Sequence, residues 1–146
     1  MPAASDAVSL PHTWRPLGVR LAGGGLGAML LVVCAAAWIG FPQDVRDSFT
    51  IFQRGTLIFL GLLAFSAWFA LVRSRAVATE EGLTVVNGYK RRDLAWAEVV
   101  AIHLPLGAPW ATLDLADGTT CPVMAIQGSD GGRAKLAVRQ VRALLP

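Results

Sequence analysis

His103 and Asp114 lie in neighbouring stretches of alternating polarity, so an imidazole and a carboxylate could meet there as a general acid–base pair. No local motif sets a serine or cysteine nucleophile beside them. Glu80 and Glu81 are adjacent in a turn, point apart, and do not form the paired carboxylates of acid/base work. Cys34 sits inside an apolar run and Cys121 in a polar region. Two thiols so placed make neither a disulfide framework nor, with two histidines, a zinc site. The glycines at 23, 24, 25 and 27 would need a preceding strand to cradle a phosphate, and none precedes them. No residue is therefore assigned as catalytic or metal-binding, no cofactor is expected, and the chain reads as a non-enzyme.

The residues left with chemistry to offer are Lys90, Arg91 and Arg92. Three consecutive cations attract an anionic lipid surface, each contributing about 1 kcal/mol when close to it. The same three also serve as a solvated hairpin that biases topology. Trp110 begins a strand after a Pro/Gly loop, and with Leu104, Leu106 and Pro109 it offers an apolar patch to a partner; packing is its ordinary alternative. The net charge of +3 is too small to argue for nucleic acid.

These residues need elements to hold them. The chain has 146 residues, 54% hydrophobic and 16% charged. The apolar excess is concentrated in two uncharged runs, 21–41 and 55–72, each long enough to span a bilayer, for which about 17–25 residues suffice. The first is too long for a signal peptide and lacks the small residue a lipoprotein box requires before Cys34. Arg15 and Arg20 precede it, and Arg73 and Arg75 follow the second run. The connection from Pro42 to Arg54 carries Asp44, Arg46, Asp47 and Arg54, with no net charge. Basic ends and a neutral loop predict a transmembrane hairpin over residues 17–72 in the cell membrane, with both termini cytosolic. Residues 1–16, rich in Ala, Ser and Pro, read as a disordered cytosolic tail. Gly23 and Gly27 share a helix face, which suits packing on the second span through Gly61 or Ser66 and Ala70, or helix-mediated homo-oligomerisation.

From residue 73 to 146 the period becomes two-fold. Strands are expected over 75–79, 83–87, 91–96, 99–104, 110–116 and 119–126, with a tight turn at Asn87-Gly88 and another at Asp117-Gly118. Ser129 or Asp130 is placed to cap a last helix whose Ala134, Ala137, Val138 and Val141 recur at helical spacing.

Two apolar spans, then Ala76-Val77-Ala78-Thr79-Glu80-Glu81-Gly82-Leu83-Thr84-Val85, then Leu94-Ala95-Trp96-Ala97-Glu98-Val99 and Leu113-Asp114-Leu115-Ala116-Asp117-Gly118, resemble the small bacterial pleckstrin-homology-like proteins of the "low molecular weight protein antigen 6" type. The resemblance covers the last 74 residues and implies an α+β domain: a strongly bent antiparallel sheet capped by the C-terminal helix, with no enzyme activity and no defined ligand. Relatives of the fold often bind phosphoinositides beside the first hairpin, but here that turn is acidic. Two functions remain open: a membrane-tethered interaction or scaffolding module with a protein partner, and a sensor of anionic lipid headgroups acting through Lys90, Arg91 and Arg92.

Overall fold

A computed structural model describes residues 8–146. Two long helices dominate the first half. Helix α1, Leu17–Gly40, has 24 residues, and α3, Ile51–Arg73, has 23. At 1.5 Å per residue each is about 35 Å long, more than the roughly 30 Å hydrocarbon core of a bilayer. Both are long and apolar enough to cross a membrane, and no residue of either is buried within the protein. Between them α2, Gln43–Ser48, makes a short helical turn. Thr50 and Gln53 form a capping box that starts α3, so this helix begins four residues before its uncharged run. Arg54 folds back over the connection: its guanidinium donates to Arg46 O at 2.7 Å and Phe49 O at 3.1 Å and lies 5.5 Å from the Trp38 ring.

The second half, joined by one strand from ahead of the helices, is a small two-sheet domain. Among the described residues seven strands form two antiparallel sheets. The first contains β1 (His12–Trp14), β2 (Arg75–Ala78), β3 (Gly82–Asn87) and β4 (Lys90–Ala95) in sequence order; the second contains β5 (Val99–His103), β6 (Trp110–Leu115) and β7 (Thr120–Gln127). Helix α4, Gly132–Ala143, packs Ala134, Ala137, Val138 and Val141 into the core between the sheets. The inward residues alternate as a two-fold period requires: Leu83 and Val85 from β3, Leu113 and Leu115 from β6, Cys121 and Val123 from β7. All are buried.

The strand β1 overturns the expectation of a disordered stretch up to Pro16. Its residues pair with β2 in the register His12–Ala78, Thr13–Val77 and Trp14–Ala76. Trp14 is 8% exposed within the core, and its indole N–H donates to Gln140 Oε1 of α4 at 3.0 Å. Part of that expected tail, residues 1–7, lies outside the described residues. The sheet domain is thus discontinuous. Its first strand comes before the two long helices, and the helical hairpin is the connection between β1 and β2.

Two smaller expectations also shift. Asn87 pairs with Lys90, so the two turn residues are Gly88 and Tyr89. Gly88 takes φ +61° at the first turn position, a primed geometry that glycine adopts without penalty. Trp96 leaves the strand for a 3₁₀ turn, Trp96–Glu98, where its indole N–H donates to Thr79 O at 2.9 Å.

Candidate functional site

The domain meets the two helices through two sets of contacts. At α3 the β3–β4 hairpin leans on the helix. Tyr89 Oη donates to the Ser66 carbonyl at 3.2 Å and is 3.0 Å from Ser66 Oγ. Gly88 lies against Ala70; a Cβ added to it would come within 3.3 Å of Ala70 Cβ. Ser74, fully buried where α3 passes into β2, accepts from Gly88 N at 2.9 Å and donates to Ala70 O at 3.1 Å. Its hydroxyl is therefore satisfied on both sides.

At α1 the contact comes from the turn before α4. Asp130 accepts from Leu17 N at 3.1 Å and from Gly18 N at 2.9 Å. The residue ahead of α1 is Pro16, whose side chain makes no cap bond, so the carboxylate supplies the missing acceptor and a favourable charge at the helix start. Ser129 or Asp130 was expected to cap α4; that helix instead starts from Gly131, with no side-chain cap. The small residues expected to seat α1 on α3 have other neighbours. Ser66 and Ala70 receive the hairpin, and the places where Cβ atoms on Gly27 and Gly61 would lie are open. Gly23 does face α3, where a Cβ would come 2.5 Å from Trp68 Nε1.

Lys90, Arg91 and Arg92 are exposed on β4, next to the docked hairpin. Strand alternation divides them: Lys90 and Arg92 share one face and Arg91 takes the other. Arg91 forms an ion pair with Asp93 at 2.9 Å. Hydrogen bonds from Arg91 and then from Thr84 hold the Asp93 carboxyl below its ordinary pKa. Asp117 is likewise lowered, chiefly by the Thr119 hydroxyl and amide and more weakly by the charge of Arg92. Burial pushes the Cys121 thiol up, and Arg92 opposes it. The three cations thus do not converge on one point. Trp110 stands half-buried at the start of β6, opposite Gln127, and far along the chain from that cluster. The structure does not gather the four residues into one site.

His103 Nδ1 lies 3.3 Å from Asp114 Oδ2, an exposed pair on the outer face of the second sheet. Among the described residues no three His, Cys, Asp or Glu side chains gather as metal ligands. Sequence reasoning gave no role to Ser74 or Tyr89, and none beyond a turn to Asn87. Asn87 Nδ2 donates to Pro122 O at 2.6 Å and its Oδ1 accepts from Met124 N at 3.0 Å, which ties the end of β3 to β7.

A family model described as "Bacterial PH domain" matches residues 73–144. The chain belongs to this bacterial PH-domain family. An uncharacterized protein of Mycobacterium tuberculosis H37Rv is 37% identical over 143 residues, covering 96% of this chain and 88% of the relative. An uncharacterized protein of Mycobacterium bovis matches to the same extent. No solved structure gives a significant match. The family match stops short of β1, yet the PH domain of this chain includes it. The similarity to the mycobacterial proteins runs through the long helices as well.

Proposed function

We propose that α1 and α3 span the cell membrane as a hairpin, and that the PH domain is a non-catalytic interaction module clamped to its cytosolic face. The observation that carries this reading is the β1–β2 pairing. Strands on either side of two long apolar helices share one sheet, so both helix ends must lie on the same side of any membrane they cross. Arg15, Arg20, Arg73 and Arg75 at those ends, against Arg46 and Arg54 in the connection, support the cytosolic side. The contacts at Ser66, Ala70 and Gly18 hold the domain close to the helix ends, so it presents a fixed face to a protein partner. Impermeant maleimide added to intact cells tests the topology: a cysteine at Asp47→Cys is labelled and one at Glu81→Cys is not. A photo-cross-linking residue at Val100, exposed on β5, then yields a discrete adduct in native membranes. Labelling of Glu81→Cys from outside contradicts the topology, and adducts absent from every exposed strand position contradict the interaction role.

Lipid sensing is the second reading, favoured by the place of Lys90 beside the docked turn. The pairing of Arg91 with Asp93 leaves it the weaker one.

A further inference from the structure

We propose that the Leu104–Trp110 loop is a second membrane contact, with Leu106 entering the headgroup boundary of the leaflet from which α1 emerges. The proposal rests on the membrane-spanning reading of α1 and α3. The seven residues of the loop carry no charge. Leu106 is the most exposed large apolar side chain of the described residues. It sits in a hydrogen-bonded turn: Ala108 N donates to Pro105 O at 3.0 Å, and Gly107 takes φ +82°. That is the geometry of a type II turn with Leu106 at its second position. Single exposed leucines are ordinary on protein surfaces; one fixed at the apex of an uncharged turn is not explained by packing.

Contacts place the turn beside the root of α1. Gly128 N donates to Pro109 O at 3.0 Å, and a Cβ on Gly128 would run into Ala108 O. Two residues on, Asp130 holds the first amides of α1, and the Ser129 hydroxyl lies 3.7 Å from where a Gly18 Cβ would be. The loop is therefore packed on the same turn that holds the helix at its point of emergence. Lys135 lines the same recess as Leu106, a cation beside the loop that an anionic leaflet attracts. The opposite strand ends carry Glu80, Glu81 and Glu98 in their turns, a charge an anionic leaflet repels. Trp110 closes the loop, half-buried, and indole rings favour the membrane–water interface.

The test uses the full chain, Cys34→Ala, reconstituted in phosphatidylcholine/phosphatidylglycerol vesicles and spin-labelled in turn at Leu106→Cys, Leu31→Cys and Glu81→Cys. Cys121 is buried, and the parent chain is checked for the absence of label there. Collision with oxygen reports lipid, and collision with a nickel chelate reports water. The Leu106 label is expected to show an oxygen-to-nickel ratio several-fold above that of Glu81, toward that of Leu31. A ratio equal to that of Glu81 overturns the proposal, as does a label shielded from both reagents, which would mean a protein covers the turn. If the Leu31 label itself reports water, the spanning reading fails and the proposal falls with it. The exposed Leu106 position keeps the fold intact, and Leu106→Ser, compared for vesicle-dependent protection of the loop from protease, gives an independent readout.

Discussion

The carboxylate of Asp130 sits 2.9 Å from the amide of Gly18, across 112 residues of sequence. With its second oxygen on Leu17 it caps a helix that begins in another part of the chain. This contact and the docking of Tyr89 on Ser66 close the domain over both ends of the helical hairpin. Asp130→Ala removes two charge-assisted hydrogen bonds at a helix start, a loss of about 1–2 kcal/mol by the usual worth of a cap. Amide exchange at Leu17 and Gly18 should rise by roughly tenfold or more in micelles, with exchange in β3 unchanged. Equal exchange at Gly18 in both proteins would show that the cap does not hold α1.

The hairpin contact predicts a second effect. Tyr89→Phe loses the hydroxyl shared with Ser66 and should cost about 1 kcal/mol, the net worth of a typical hydrogen bond. Gly88→Val should cost more, because it forces a β-branched residue to positive φ and drives a side chain at Ala70. Thermal unfolding of the detergent-solubilised chain should rank the wild type above Tyr89→Phe, and Tyr89→Phe above Gly88→Val. The reverse order would mean that the turn does not dock.

Trp14 makes the discontinuous domain testable. A fragment of residues 73–146 lacks β1 and exposes the site where Trp14 packs. Residues 8–16 joined by a short Gly-Ser linker to 74–146 restore it. The linked form should be the more stable by about 3–5 kcal/mol, the usual cost of removing a large aromatic from a core. Urea denaturation followed by fluorescence measures this. Equal midpoints would reduce β1 to an ornament of the sheet.

Acid sensitivity follows from Asp93 and Asp117. Both carboxyls are held below the ordinary value in the folded chain, so the unfolded chain binds more protons as the pH falls through the carboxylate range. Their contribution is present above that ordinary value and is lost as the pH drops toward the lowered ones. Arg91→Gln should raise the Asp93 midpoint in a carboxyl NMR titration, leave Asp117 in place, and flatten the loss of stability between about pH 5 and about pH 3. The effect on stability is small because the ion pair is exposed. An unmoved Asp93 would assign its low value to Thr84.

Local patterns made most of the elements readable. The uncharged runs marked α1 and α3, alternation marked β2 to β7, and helical spacing in Ala134, Ala137, Val138 and Val141 marked α4. Their ends shifted wherever a side chain reached beyond its neighbours. Asn87 looked like a turn residue, yet its amide is engaged by β7, which moves the turn one residue on. Strand β1 was hidden because three residues are too few to display a two-fold period, and its partner lies beyond two helices. Asp130 was read for the helix next to it because a cap on α1 requires knowing that residues 17 and 130 meet. The division of Lys90, Arg91 and Arg92 was implicit in any strand assignment, but their acidic neighbours depended on register.

A discontinuous domain requires β1 and β2 to pair across the helical hairpin. Thr13 and Val77 are register partners in accessible positions, at a spacing a disulfide can bridge. Thr13→Cys with Val77→Cys, in a Cys34→Ala chain carrying a protease site in the α1–α3 connection, should be oxidised in native membranes. After cleavage the two halves should migrate as one band without reductant and as two with it. Halves that separate without reductant, while the same chain remains in the membrane fraction, would contradict the discontinuous domain and the single-sided topology drawn from it.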